Sequence, residues 1–251
     1  MNRPRPPEIV PSLLSADFAR LGEEAQAIVA IGARRLHFDV MDNHYVPNLT
    51  VGPLVLAALR QYGIEVPIEV HLMVRPVDRL IEEFARAGAN VILIHPEATD
   101  HLDRSLGLIR EQGCEAGLVF NPATPPTVLP YVGDRVEHLL VMTVNPGFPG
   151  QAFLPGVLPK IREIRSWIDS HDGLWVLEVD GGIHPGTIAQ AHAAGVERFV
   201  AGSALFGTRD RARAWAELHA ALERPPADPK DVRPAFRHPK PAIMDKVPGG
   251  Q

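Results

Sequence analysis

The sequence predicts a parallel (β/α)8 barrel, a TIM barrel, on three observations. One phrase recurs along the chain: an amphipathic helical stretch, a glycine, a short strand rich in β-formers, then a polar turn. The recurrences are spaced at the scale of a βα unit. The unusual polar residues fall at the ends of the predicted strands, where a barrel keeps its chemistry.

The phrase is seen at Ile31-Gly32-Ala33, Ala87-Gly88-Ala89, Gln112-Gly113-Cys114 and Ala194-Gly195-Val196, each followed by a strand-like run. Each glycine sits where a helix C-terminus calls for a left-handed residue. Their separations of 56, 25 and 82 residues fit two, one and three βα units, at about 25–30 residues per unit. Filling the intervals predicts strands near 8–13, 34–41, 66–73, 90–95, 115–120, 137–144, 174–180 and 198–202. A doubly wound open sheet is the alternative. Its dinucleotide-binding form is disfavoured because no Gly-x-Gly-x-x-Gly turn follows the first strand.

The periodic pattern spans residues 8–223, taken as one catalytic domain behind a short N-terminal extension at 1–7. Residues 224–251 hold seven of the 25 prolines and carry no helical or alternating apolar period, so this tail is expected to be disordered. It carries six Lys/Arg against three Asp. At 45% hydrophobic and 22% charged residues, the 251-residue chain has the balance of a globular protein. A net charge of −5 argues against nucleic-acid binding through a general basic surface. No stretch has the length of a membrane span, and the lone Cys114 has no intrachain partner for a disulfide. A cytoplasmic protein, bound to neither nucleic acid nor membrane, is the expectation.

Candidate chemistry gathers on three strands. His37, Asp39 and Met41 alternate on the second strand and therefore share a face; His71 and Met73 repeat that spacing on the third; Asp180 ends the seventh before Gly181-Gly182. Two histidines and two aspartates form a nitrogen/oxygen ligand set for one divalent ion such as Zn, Fe(II), Mn or Co. Singly, each has a plainer reading: a core histidine, a turn-shaping aspartate, a methionine filling space. Their conjunction at three strand mouths favours a shared metal site. His95, ending the fourth strand, is assigned a supporting or structural role.

The last three strands end in glycine-bearing turns: Asn145-Pro146-Gly147-Phe148-Pro149-Gly150-Gln151, Asp180-Gly181-Gly182-Ile183 and Ala201-Gly202-Ser203-Ala204. Glycine lets backbone N–H groups approach an anion, and barrels often bind phosphate after strands seven and eight. None of these turns contains Lys or Arg, so a phosphate here would rest on amides. A metal on a carbonyl and its neighbouring hydroxyl acidifies the C–H between them, and two carboxylates can remove and return that proton. Epimerisation, isomerisation, aldol chemistry and metal-assisted hydrolysis all stay open on spacing alone.

The chain also resembles the ribulose-phosphate 3-epimerase family over nearly all of Ile9 to Leu222. The matching phrases are PSLLSADFARLGEE at 11–24, LHFDVMDNHYVPNLTVGP at 36–53, EVHLMVRPVDRLI at 69–81, HPEA at 95–98, NPATP at 121–125, VMTVNPGFPGQAF at 141–153, EVDGGI at 178–183 and FVAGSALF at 199–206. The resemblance implies a metal-dependent barrel isomerase interconverting D-ribulose 5-phosphate and D-xylulose 5-phosphate, a reaction of pentose phosphate metabolism and of carbon fixation. It implies His37, Asp39, His71 and Asp180 as ligands, with Asp39 and Asp180 as the acid/base pair on opposite sides of the sugar. It further implies a substrate contact from Ser12 and His71, and Met41, Met73 and Met142 lining the intermediate. Phosphate contacts are implied for Gly147, Gly150, Gly181, Gly182, Gly202 and Ser203, a closing lid for the turn carrying Phe148, and a homo-oligomer. The chain departs from the family's usual pattern twice: Pro149 stands where a glycine is usual, and so does Asn43. Proline removes an amide donor, whereas Asn tolerates a left-handed backbone. The competing readings are a sister epimerase of a six-carbon ketose phosphate such as D-allulose 6-phosphate, a non-catalytic phosphosugar-binding barrel, and a metal phosphohydrolase.

Overall fold

The computed structural model describes residues 5–224. Of the expected terminal segments, residues 1–4 and 225–251 lie outside the described residues. Among those described, β1 (Glu8–Pro11), β2 (Leu36–Met41), β3 (Ile68–Met73), β4 (Val91–Ile94), β5 (Glu115–Phe120), β6 (His138–Met142), β7 (Val176–Asp180) and β8 (Arg198–Ala201) form one parallel sheet. Helices α1 (Leu21–Ala30), α2 (Pro53–Tyr62), α3 (Asp78–Arg86), α4 (Leu102–Glu111), α5 (Leu129–Val132), α6 (Leu158–Asp169), α7 (Ile188–Ala193), α8 (Ser203–Phe206) and α9 (Arg211–Leu222) alternate with the strands. Pairing runs β1–β8–β7–β6–β5–β4–β3–β2. An isolated parallel bridge between Ser12 and His37 closes the ring.

The expected strands are all present. β5 has the expected bounds, and the others are one to three residues shorter: β2, β3 and β7 at their starts, β1 and β8 at their ends, and β4 and β6 at both. After β1, Ser12 opens a 3-10 turn and its Oγ accepts from the Leu14 N–H at 3.3 Å. The repeated glycines take the left-handed conformation that their position predicts, with φ of 122° at Gly32, 103° at Gly88, 79° at Gly113 and 105° at Gly195. Gly63, outside the repeated phrase, ends α2 in the same way with φ 103°.

Strand alternation divides the core in two. Phe38 and Val40 of β2 join the large cluster that includes Ile28 of α1 and Leu56 of α2, and Phe38 packs edge-on against Phe84 of α3 with ring centroids 6.2 Å apart. The lumen holds a separate apolar cluster, to which Val10, Leu93, Val119, Leu140, Met142 and Val200 contribute. Its other half, built by β2, β3 and β7, is polar. A parallel sheet buried on both faces has no solvent side on which to place such groups, so each must be paired or functional.

Low in the barrel, the first residues of β1, β5, β6 and β8 pair their charges around Glu178, the third residue of β7. His138 Nδ1 lies 2.5 Å from Glu178 Oε1, His138 Nε2 lies 2.7 Å from Glu115 Oε2, and Arg198 reaches Glu178 at 3.1 Å and Glu8 at 2.9 Å. Burial works against the Glu178 charge, but His138 and Arg198 outweigh it and bring its pKa down to about 2. The arrangement holds the strand beginnings in register.

Gly117 of β5 leaves no room for a side chain in the lumen: an added Cβ would stand 2.1 Å from Leu93 Cδ2 and 3.0 Å from His138 Cβ. Gly117→Ala is therefore expected to lower stability by about 1–3 kcal/mol through overpacking, read from the urea midpoint. In a Leu93→Ala background the same change should cost less, because the two side chains compete for one space.

Candidate active site and metal centre

Parallel register builds the site. It sets Asp39 of β2 beside His71 of β3 and His37 beside Glu69, while Asp180 enters from the end of β7. Closure of the ring brings these strands around one point. His37 Nε2 lies 3.2 Å from Asp39 Oδ1 and 3.9 Å from Asp180 Oδ2; His71 Nδ1 lies 3.3 Å and 3.7 Å from the same two oxygens. Four donor atoms at about 2.0 Å from a tetrahedral ion stand roughly 3.3 Å apart. The four observed atoms lie within 4.8 Å of one another. His37 Nε2 is buried and has no hydrogen-bond partner within the protein, which leaves it available to a ligand. The donor set and this orphaned nitrogen both fit a divalent cation.

The two aspartates sit in opposed electrostatic conditions. Burial raises the cost of the Asp39 charge, but His37 and then His71 outweigh that cost and hold its carboxyl well below the usual carboxylate range. Ser12 Oγ also donates to Asp39 Oδ2 at 2.6 Å. Burial, followed by the Asp39 charge, pushes Asp180 up to about 7. In the absence of a bound cation the two carboxylates thus differ widely in proton affinity, an asymmetry suited to acid/base exchange.

Above these groups lies a cavity lined by Ser12, Asp39, Met41, Met142 and Asp180, and roofed by the turns after β6, β7 and β8. Gly147, Phe148, Gly150, Gly181, Gly182, Gly202 and Ser203 all border it, and none of its lining residues is Lys or Arg. Phe148 stands at the rim with 53% of its surface exposed. Gly182 (φ 65°) passes so close to the chain that an added Cβ would lie 2.5 Å from the Phe153 nitrogen. Met73 is not among the lining residues; it packs with Met41, which is, and with Val46. His71 is fully buried and reaches the cavity floor only through its cluster with the aspartates. Asn43 adopts φ 58°, the left-handed backbone anticipated for a position that departs from glycine.

Several residues that the sequence did not single out, together with His95, support the site. Glu69 lies 2.8 Å from His37 Nδ1; its placement two residues before His71, on the same face, was the available signal. His95, given only a supporting role, places its Nε2 2.9 Å from His71 Nε2. Burial, then the neighbouring His71, drives the His95 pKa well below its ordinary value, so the ring is neutral. Thr50 donates to the Asp39 carbonyl at 2.9 Å and accepts from the Met41 N–H at 3.0 Å, fixing the mouth of β2. The sixth turn is tied down by Gln151 Nε2, which donates to the Asn145 and Phe148 carbonyls at 2.6 and 3.0 Å, and by Asn48 Nδ2, which donates to the Gly147 carbonyl at 2.8 Å. No local spacing announces these contacts.

Residues 8–206 match the model of the ribulose-phosphate 3 epimerase family. The chain is 56% identical over 216 residues to ribulose-phosphate 3-epimerase of Escherichia coli strain K12, covering 86% of this chain and 96% of that one. It is 58% identical over 202 residues to the enzyme of the same name from Serratia marcescens, covering 80% and 96%. Among solved structures, KGPDC from Streptococcus mutans superposes with a TM-score of 0.64 at 13% identity, covering 87% of this chain and 98% of that one. 3-Hexulose-6-phosphate synthase superposes with a TM-score of 0.60 at 18% identity, covering 86% and 99%. At such low identity the superpositions establish the barrel alone. With more than half its residues identical to those of the two epimerases over most of its length, the chain belongs to the ribulose-phosphate 3-epimerase family.

Proposed function

We propose that this isomerase interconverts D-ribulose 5-phosphate and D-xylulose 5-phosphate by inverting C3, with residues 8–223 as the catalytic unit. The observation that carries the proposal is the pair Asp39 and Asp180. Both border one cavity and approach the same two histidine nitrogens, yet one is held ionised and the other is raised to about 7.

In this reading Asp39 takes the C3 proton from one face of the sugar and Asp180 returns a proton to the other. The roles interchange in the reverse direction. His37, Asp39, His71 and Asp180 would hold a divalent cation whose positive charge, when bound, makes the C3–H beside the ketone more acidic. Ser12 keeps Asp39 oriented through its 2.6 Å hydrogen bond. Met41 and Met142 cover the planar intermediate and offer it no proton, which keeps water from competing with Asp180. The glycine turns after β6, β7 and β8 receive the phosphate on backbone N–H groups, in keeping with a lining free of Lys and Arg. Pro149 contributes no amide, so the sixth turn binds through the residues around it. The exposed Phe148 ring at the rim is suited to fold over the sugar. Self-association and a cytoplasmic location belong to this reading; among the described residues no helix is long and apolar enough to cross a membrane.

Solvent-deuterium exchange tests the chemistry. Metal-loaded protein should introduce deuterium at C3 of ribulose 5-phosphate and form xylulose 5-phosphate. Asp180→Asn, checked for metal content, should lose about 10²–10⁴-fold of both activities. Absence of exchange with every divalent ion tried would sink the proposal, and release of free phosphate would favour hydrolysis. Chelation should abolish turnover, and added divalent ion should restore it.

The phosphate cradle has its own test. Gly182→Ala sets a Cβ against backbone that has no room to retreat, so KM for ribulose 5-phosphate should rise about tenfold or more, the equivalent of losing one or two hydrogen bonds to a charged group. An unchanged KM would remove this turn from phosphate binding.

A further inference from the structure

Glu69 is the most demanding group in the lumen that the mechanism leaves without a task. Its side chain is fully buried on β3, and its Oε2 has no hydrogen-bond partner. The nearest cation, Arg35 Nε, lies 3.8 Å from that oxygen. The one hydrogen bond of the carboxylate among the described residues runs from Oε1 to His37 Nδ1 at 2.8 Å. Burying a carboxylate with so little compensation is costly. The fold does not call for it: the residue paired with Glu69 on β4 is Val91, an ordinary member of the apolar lumen cluster.

We infer that Glu69 is a positioning residue for the metal centre, acting through the ring of His37 to present Nε2 as a bare lone pair. This inference rests on the metal reading of the four-residue cluster. A neutral imidazole carries one N–H and one lone pair, and a carboxylate only accepts. Glu69 Oε1 therefore keeps the proton on Nδ1 and leaves Nε2 free. Without Glu69 the opposite tautomer is the favourable one, because Nε2 faces two carboxylate oxygens, Asp39 Oδ1 at 3.2 Å and Asp180 Oδ2 at 3.9 Å. A ring turned to that use offers a proton where a ligand is needed.

His71 makes the point by contrast. It offers the cluster its other nitrogen, Nδ1, while its Nε2 faces His95 Nε2 at 2.9 Å. The two histidines therefore need opposite tautomers, and the ring chemistry they share supplies no common rule. Each depends on its own buried neighbour. The alternative use of Glu69, as part of a second cation site with His138 and Glu178, conflicts with the guanidinium already there: Arg198 Nη1 lies 3.1 Å from Glu178 Oε1. Glu69 does not border the substrate cavity, so its influence on turnover passes through His37.

The test is metal affinity. Metal-free parent protein, Glu69→Gln and Glu69→Leu are titrated with Zn²⁺ and Co²⁺ against a chromophoric chelator, and the visible spectrum of the Co²⁺ forms is recorded. Loss of such a supporting partner weakens binding by about 10–100-fold. Glu69→Gln, which keeps an acceptor oxygen, is expected at the lower end and Glu69→Leu at the upper, with an altered Co²⁺ spectrum. Saturating metal should restore kcat in Glu69→Gln while KM stays at the parent value. A purely structural role would instead lower the thermal midpoint of the metal-free protein and leave affinity and spectrum unchanged, which overturns the inference while sparing the metal reading. Failure of the parent protein to bind either ion overturns both. If Glu69→Leu does not fold, the near-isosteric Glu69→Gln decides.

Discussion

The parallel bridge between Ser12 and His37 closes the eight-stranded ring, and the active centre depends on that closure. An open parallel sheet would leave β2 at one edge, away from β7. Closing the ring turns the inner faces of β2, β3 and β7 toward one another, so that Asp180 comes within 3.9 Å of His37 and 3.7 Å of His71. The seam also does local work. Ser12, just past β1, donates across it to Asp39, so the strand that completes the barrel also orients one of the two cavity carboxylates. Stability and chemistry share the same few residues at this edge.

A closed lumen has no water to spare for charged groups, and this one contains many. The protein divides them into two levels. At the floor, guanidinium, imidazole and carboxylate groups from the strand beginnings neutralise one another. At the mouth, two carboxylates and two imidazoles meet with no Lys or Arg beside them, so positive charge there is left to an ion. The same scarcity of cations separates the protonation of Asp39 from that of Asp180: the histidines favour the first carboxylate, and its charge disfavours the second. Glu69 stands between the levels, bonded upward to His37 and 3.8 Å from Arg35.

The phosphate end follows a different physical rule. In the proposed reading an acidic chain would meet a dianionic substrate with glycine turns in place of basic side chains. Close backbone approach is what those turns provide, and Gly182 shows how little space is left once it is achieved. The sixth turn combines the exposed Phe148 with a tie to the second loop, where Asn48 donates to the Gly147 carbonyl, and with internal bonds from Gln151 to the Asn145 and Phe148 carbonyls. Pro149 restricts the backbone beside Phe148.

Sequence alone determined the barrel, its helix-ending glycines, and the four ligand-type residues with the glycine turns beside them. Each of these is written in local periodicity: alternation of two puts His37, Asp39 and Met41 on one face, and a glycine at each helix end marks a left-handed residue whatever lies beyond it. Strand ends were read one to three residues too long, because a turn's hydrogen bonds, such as Ser12 capping Leu14, leave no mark in hydrophobic pattern. Only the tertiary structure decided that Met73 packs behind Met41, that His95 meets His71, and that Glu69 meets His37. Those contacts depend on register between strands and on closure of the ring. Both are set by the whole chain at once, so no segment of sequence carries them by itself.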